Sequence, residues 1–294
     1  MKARATALDF GLRIGIGLSL SLGPGLLAVA VLAPAQALLA QASAIPSAAP
    51  PPVSSQEQDR RGRQLLEQMV EALGGPAWLN RTSMLRQGHT ASFFRGNPTL
   101  NVIDFWDYTR FADASHPEAE RIEFTKKHDI VQIWTPTNGY EITYKGNKPL
   151  PEDQVQEALR RRSHSIEVIV QTWLKQPDVV VLYEGTSMVE RRMAEKVTLL
   201  GADNDSVTLE LDASTHLPLR RSFQTRNSTF KDYDEDEEQY EDYHLIEGLQ
   251  TPFTISRYHN GDLSNQRFFT KIEYAVPLTP EMFDVERPLK GKKK

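Results

Sequence analysis

The densest group of side chains able to bind a cation is an acidic run of eleven residues that begins at Asp232. Asp232, Asp234 and Asp236 have the spacing of the first ligands of a calcium-binding loop. Such a loop needs glycine at its sixth position and a bidentate glutamate at its twelfth, where this sequence has Glu237 and Tyr243. We therefore interpret the run as an exposed, self-repelling hairpin tip, with weak binding of calcium or of a cationic partner as the alternative.

Histidines and nucleophiles give no catalytic pattern. The seven histidines are His89, His116, His128, His164, His216, His244 and His259. No two of them have the i, i+4 spacing of a helical zinc site, and the sequence contains no HExxH, GxSxG, phosphate-loop or dinucleotide motif. The absence of cysteine excludes disulfides, thiolate metal sites and a cysteine nucleophile. The sequence therefore predicts a protein that is not an enzyme and has no metal-binding or cofactor-binding site.

A second charge cluster consists of three arginines at positions 160–162 together with His164. It interrupts the strongest helical pattern in the chain, which Pro151 begins and Pro177 ends. The interruption leaves two interpretations, a single helix or two helices that meet near Ser163. We interpret the arginines as a solvated face, with contact to anionic headgroups or to a membrane partner as the alternative.

The elements that must position these residues are mostly strands. Period-two alternation predicts strands at 83–94, 100–111, 120–126, 130–135 and 140–144 before the long helix, and at 179–182, 193–200, 206–212, 217–219, 240–253 and 265–274 after it. Short turns between strands favour antiparallel pairing. An earlier helix begins at a capping box formed by Ser54 and Glu57 and ends at Gly74. We predict an α+β fold in which one curved antiparallel sheet is crossed once by helices on its concave face.

Two motifs in the second half of the chain carry a family resemblance. Residues 209–220 read LxLDxxTxLPLR, and residues 240–252 read YxDYxxIxGLxxP. This spacing resembles the LolA/LolB-like periplasmic carriers that sort outer-membrane lipoproteins. The resemblance implies an incomplete, unclosed β-barrel wrapped round helices, with an apolar cavity that holds acyl chains.

The resemblance also selects candidate ligand-binding residues, which would form the cavity wall. They are Leu159, Ile166, Ile169, Val170, Trp173, Val207, Leu209 and Leu211. The leading hypothesis is an exported, non-enzymatic carrier of lipid or lipoprotein acyl chains. An envelope sensor or scaffold that binds a protein partner, as implied for anti-sigma-factor regulators similar to this family, is the first alternative, and an uncharacterised hydrolase is the second.

The ends of the chain have their own composition. Residues 14–56 contain no charged side chain and follow three basic ones, so residues 1–44 are predicted to be a signal peptide, with an uncleaved membrane anchor as the alternative. We predict a Pro/Ala/Ser linker at residues 45–55, a LolA-like carrier domain at residues 56–290 and a basic tail at residues 291–294. Residues 1–44 carry a net +2, so the remaining chain carries −5 minus +2, or −7, which argues against nucleic-acid partners.

Overall fold

The computed structural model describes residues 54–227, 229–287 and 289. The predicted signal peptide, most of the linker and the basic tail lie outside these residues. Within them, no helix has both the length and the apolar character needed to cross a bilayer.

The first helix, α1, spans Ser55–Leu73 and has the ends that the sequence predicts. The Ser54 side chain accepts a hydrogen bond from the backbone N–H of Glu57 (3.2 Å) and so satisfies one free donor at the start of the helix. The chain leaves the helix at Gly74, whose φ of 132° suits glycine. A single turn, α2 (Pro76–Leu79), follows. One face of α1 is buried through Leu65, Leu66, Met69 and Leu73.

Thirteen strands in the described residues form one antiparallel sheet. The first six are β1 (Ser83–Phe94), β2 (Asn97–Arg110), β3 (Ala119–Phe124), β4 (Ile130–Trp134), β5 (Gly139–Thr143) and β6 (Gly146–Pro149). The other seven are β7 (Val180–Val189), β8 (Arg192–Leu200), β9 (Ser206–Asp212), β10 (Pro218–Asn227), β11 (Asp232–Ile246), β12 (Leu249–His259) and β13 (Asp262–Tyr274). Their spatial order is 6-5-4-3-2-1-13-12-11-10-9-8-7. The predicted fold class, a single unclosed antiparallel sheet with a few helices, is confirmed.

The strand order decides where the second group of helices must lie. β6 and β7 are consecutive in the chain but form opposite edges of the sheet, so the segment between them has to cross from one edge to the other. That segment contains α3 (Glu152–Ser163), α4 (Ile166–Gln171) and a 3₁₀ turn at Trp173–Lys175. The helical pattern is therefore divided into two helices, which meet at His164. We call the sheet face that they cover the inner face.

The first and last strands of the sheet in chain order, β1 and β13, pair with each other in its interior. The register shifts by one residue between Gln87 and Gly88. A Cβ atom at Gly88 would lie 1.9 Å from the carbonyl oxygen of Phe268 and 2.8 Å from the Cα of Phe269. Only glycine fits this approach, so the irregularity is built into the junction between the two halves of the chain.

Two apolar clusters fill parts of the inner face. The larger one joins α1 and α4 to β7–β10, and its fully buried members include Leu66, Met69, Ile169, Val197 and Leu209. The smaller one lies near the β1–β13 junction and consists of Met84, Phe105, Ile122, Phe269 and Ile272. Ile255 and Tyr274 contact both clusters. The space between the clusters is only partly filled.

Two sequence-based predictions of local structure differ from the fold, and one strand has no counterpart among the predictions. The acidic run is the first part of strand β11. Asp232 and Glu235 are exposed near the β10–β11 turn, but Asp236 and Glu238 are buried, so the interpretation as an exposed hairpin tip is wrong for these two. The predicted strand at 240–253 is divided by a turn at Glu247 and Gly248, which both have positive φ, as a two-residue hairpin turn requires. Strand β6 has no sequence periodicity and was not predicted.

Candidate ligand-binding cavity

A cavity of about 480 Å³ lies between the inner face of the sheet and the helices α3 and α4. Its walls come from α3, α4, the end of α1 and the inner sides of strands in the middle of the sheet. The volume is within the range of about 300–1,000 Å³ that is typical of small-molecule sites. The cavity exists because the helical connection crosses the sheet while the two apolar clusters fill only the regions on either side.

One part of the wall is apolar and aromatic. It consists of Leu73, Trp78, Met84, Ile122, Trp134, Ile166, Ile255, Phe269 and Ile272. The ring of Phe269 makes an edge-to-face contact with Phe105, with ring centroids 5.9 Å apart, which holds Phe269 in one orientation. This part of the cavity offers an alkyl chain a dry contact surface.

The rest of the wall is strongly charged, unlike the apolar cavity that the family resemblance implies. It contains seven arginines, Arg81, Arg86, Arg161, Arg162, Arg221, Arg257 and Arg267, and five glutamates, Glu118, Glu120, Glu157, Glu167 and Glu238. Charged side chains are rarely buried without a partner because their transfer from water is costly. The pairing of these groups therefore decides what the cavity can bind.

A row of three charges crosses strands β10, β11 and β12. Arg221 and Arg257 are the cross-strand neighbours of Glu238 on either side. The Glu238 carboxylate contacts Arg221 Nη2 at 2.9 Å and Arg257 Nε at 2.8 Å, and it accepts a hydrogen bond from the Tyr240 hydroxyl at 2.9 Å. Burial acts to raise the pKa of Glu238, but Arg221, Arg257 and Arg161 outweigh it and hold the pKa well below its ordinary value.

The arginines at 160–162 join this network, so their interpretation as a solvated face is wrong for two of the three. Arg161 Nη2 lies 2.6 Å from Glu157 and 3.2 Å from Asp236, a buried residue of the acidic run. Arg162 donates a hydrogen bond to the carbonyl of Thr135 at 2.8 Å. Arg160 is exposed. The basic cluster on α3 therefore joins the helix to the inner face of the sheet.

A second charged group lies at the β1–β13 junction. Asp107, which is fully buried, receives a hydrogen bond from Arg86 at 2.5 Å and one from the Thr109 hydroxyl at 3.2 Å. Arg267 approaches the same carboxylate only to 3.6 Å. Burial lowers the pKa of Arg267 to about 10, and repulsion by Arg257 acts in the same direction.

Glu120 is the second acidic residue of this group, beside Asp107. Its side chain is about one fifth exposed and lies 3.6 Å from Arg86 and 3.8 Å from Arg162. Burial, followed by the neighbouring charge of Asp107, raises its pKa to about 7. Glu120 therefore changes its charge near neutral pH, next to the cavity.

This raised pKa predicts how Glu120 affects stability. The folded state holds the Glu120 proton more tightly than the unfolded state, so the associated stability is present below pH 4.5 and is lost as the pH rises through about 7. Glu120→Gln cannot ionise. The unfolding free energy of the variant minus that of the wild type should therefore increase by about 1–3 kcal/mol when the pH is raised from 5 to 8. Urea unfolding at both pH values measures this, with exposed Glu190→Gln as the control. Parallel pH profiles for Glu120→Gln and the wild type would contradict it.

The residues predicted as the cavity wall lie mostly in the larger apolar cluster. Among the eight, Ile166 lines the cavity. Ile169, Trp173, Val207, Leu209 and Leu211 are buried in that cluster, Val170 packs against it, and Leu159 is half-buried on α3. Contact of these side chains with a ligand stays a prediction.

Alternation of apolar and polar residues assigns a charged strand residue to the solvent-facing side, so it does not predict the charged residues of the cavity. They can be recognised as charged residues two positions away from a buried apolar residue on the same strand. Arg86 follows Met84 by two positions, Arg257 follows Ile255, and Arg267 precedes Phe269. Since alternate residues share a face, each arginine must point inward with its apolar neighbour.

In the described part of the chain, no three histidine, aspartate or glutamate side chains cluster in a way that would hold a metal ion. The charged wall is an array of ion pairs, with arginine guanidinium groups as its hydrogen-bond donors.

The chain shares its fold with a solved domain named for outer-membrane lipoprotein sorting, in agreement with the resemblance of the two sequence motifs. This domain, from Vibrio parahaemolyticus, superposes with a TM-score of 0.54 at 10% identity, covering 77% of this chain and 100% of that one. A DUF1329 family protein from Desulfovibrio piger also gives 0.54, at 12% identity, covering 77% of this chain and 97% of that one. These similarities establish the fold alone.

Comparison of sequences adds no nearer relative. No protein-family model matches the chain, and no curated protein matches it.

Proposed function

We propose that this protein is an exported, non-enzymatic carrier that holds the acyl chain of a lipid or lipoprotein in the cavity between the sheet and α3–α4. The observation that carries the proposal is the cavity itself, of about 480 Å³, with an apolar wall that includes Trp78, Trp134 and Phe269. Buried apolar contact is the main source of affinity for an alkyl chain, at about 0.8 kcal/mol for each methylene removed from water.

Two further observations support this proposal. The fold is shared with the Vibrio domain described as a lipoprotein-sorting protein. The charge-free segment at 14–56, preceded by basic residues, is typical of export, and we propose a periplasmic location. Cell fractionation with N-terminal sequencing distinguishes a cleaved chain from one anchored through its first residues. A chain that retains Met1 and lies in the cytoplasm would exclude both the cleaved, exported form and the membrane-anchored form.

Filling the cavity tests the proposal. Ala158 lines it from α3, whereas Gln156 is exposed on the same helix. We expect the wild type and Gln156→Trp to bind fluorescent long-chain probes, and Ala158→Trp to bind them at least about tenfold more weakly, because the indole occupies the space of the chain. Fluorescence titration with an acid probe and an alcohol probe measures this.

Two results would overturn the carrier function. Failure of the wild type to bind either probe would favour the alternative, a sensor or scaffold for a protein partner. Equal binding by Ala158→Trp and Gln156→Trp would place the chain outside this cavity. Circular dichroism of both variants shows that the comparison is made between folded proteins.

A further inference from the structure

The seven arginines of the cavity are not equally paired. Six of them have a carboxylate oxygen within 3.3 Å, and the distances are 3.0 Å for Arg81, 2.5 Å for Arg86, 2.6 Å for Arg161, 3.3 Å for Arg162, 2.9 Å for Arg221 and 2.8 Å for Arg257. Arg267 is the exception. Its Nη1 lies 3.6 Å from Asp107, beyond hydrogen-bond distance, and this is the longest of the seven nearest carboxylate contacts.

The surroundings of Arg267 leave it short of negative charge. Its side chain is only 15% exposed, so bulk water solvates it poorly. Asp107 is already engaged by Arg86 at 2.5 Å, and the carboxylate of Glu238 is shared between Arg221 and Arg257. A largely buried guanidinium with five donors, whose nearest carboxylate lies beyond hydrogen-bond distance, is a costly arrangement for the protein alone. The lowered pKa of Arg267, caused by burial and by Arg257, is consistent with this shortage.

The apolar wall lies directly beside this weakly paired cation. Phe269 follows Arg267 by two positions on β13, so both point to the inner face, and Ile255 is the cross-strand neighbour of Arg267 on β12. The guanidinium lies over the ring of Phe105, 5.3 Å from its centroid. A positive donor at one place and an alkyl-binding wall next to it match the two ends of an amphiphile.

We propose that the cavity selects an anionic amphiphile, whose carboxylate or phosphate oxygens accept hydrogen bonds from Arg267 while its alkyl chain lies against Phe269 and Ile255. This inference rests on the proposed carrier function and adds the chemistry of the headgroup. Carboxylates and phosphates suit the planar guanidinium because they can accept two parallel hydrogen bonds. The ligand then supplies the negative charge that compensates the positive charge of Arg267.

Four ligands with one chain length test the headgroup, by displacement of a bound probe at low salt. They are a fatty acid, a monoalkyl phosphate, a fatty alcohol and an alkyltrimethylammonium salt. We expect the acid or the phosphate to bind about tenfold or more tightly than the alcohol, and the cation to bind most weakly, because charge-assisted hydrogen bonds to a buried arginine favour the anion. The stronger of the two anions identifies the headgroup.

Two variants test whether Arg267 causes the preference for an anionic headgroup. Arg267→Met should bind the alcohol as the wild type does and lose the preference for the anion. Arg267→Lys, which keeps the charge but not the planar donors, should retain part of it. Arg226→Met, at an exposed arginine of β10, should behave as the wild type.

The outcomes separate this inference from the proposed function. Equal affinity of the wild type for acid, phosphate and alcohol, or a preference that survives in Arg267→Met, would overturn the headgroup assignment and leave the carrier function standing. Binding of none of the four would overturn both. Because the comparison of headgroups is made first in the wild type, it does not depend on how the variants fold.

Discussion

Replacement of Glu238 by glutamine will lower the unfolding free energy by about 3–5 kcal/mol. The glutamine side chain keeps the size of Glu238 but removes the charge that Arg221 and Arg257 contact at 2.9 and 2.8 Å. Arg221 is 2% exposed and cannot turn to water, so its charge would remain buried without compensation. Urea unfolding monitored by circular dichroism measures the loss.

The Glu238 prediction has a matched control on the same strand. Glu235 is exposed, and Glu235→Gln should change the unfolding free energy by no more than about 0.5 kcal/mol. Adding Arg221→Met to Glu238→Gln should recover part of the loss, because the unpaired buried cation is removed as well. An unfolding free energy unchanged by Glu238→Gln would mean that this position is solvated, as the sequence alone suggested.

Acid gives a second readout of the same carboxylate. Because Arg221, Arg257 and Arg161 hold the pKa of Glu238 below its ordinary value of 4.5, the stability that Glu238 provides is present above pH 4.5. It is lost as the pH falls towards the folded-state pKa. The difference between the wild type and Glu238→Gln should therefore shrink in acid.

Trp173→Ala should also cost about 3–5 kcal/mol, for a different reason. The indole is 8% exposed, lies against Gly201 and His164, and donates a hydrogen bond from Nε1 to the carbonyl of Ser163 at 3.2 Å. Truncation leaves a void at the end of the α4 segment and removes that donor. Thermal and urea unfolding measure the effect.

The same variant separates core from cavity. Trp173 belongs to the larger apolar cluster and does not line the cavity, so Trp173→Ala should bind an acyl probe as the wild type does at temperatures where it is folded. Trp173→Phe, which keeps most of the ring, should lose clearly less stability. Weakened probe binding with little loss of stability would instead place Trp173 on the ligand surface.

The architecture was largely accessible from the sequence because it depends on local signals. Alternation fixes the phase of strands such as β1 and β9, and the Ser54 cap fixes the start of α1. Strand β6 (Gly146–Pro149) could not be predicted from alternation, because none of its side chains is buried. Its place in the sheet comes from pairing with β5.

The candidate site was far less accessible, because its chemistry depends on residues distant in the chain. The carboxylates of β11 look like a repelling run until Arg161, some 75 positions away from Asp236, is brought against them by the crossing helix. Sequence also cannot tell whether an apolar side chain such as Ile169 meets a neighbour or a void. Ile166 and Ile169 share one short helix, and only the first reaches the cavity.

The pairing of β1 with β13 has a consequence for the order of events during folding. The two halves of the sheet, β1–β6 and β7–β13, are meanders whose strands pair with near neighbours in sequence, and such contacts form early. Their junction joins residues such as Met84 and Tyr274, and closing so long a loop is entropically slow. During synthesis the side of β1 that pairs with β13 stays unpaired until almost the whole chain has left the ribosome. Since Arg86 and Arg267 come from the two sides of this junction, this part of the cavity wall is complete only after β13 has paired with β1.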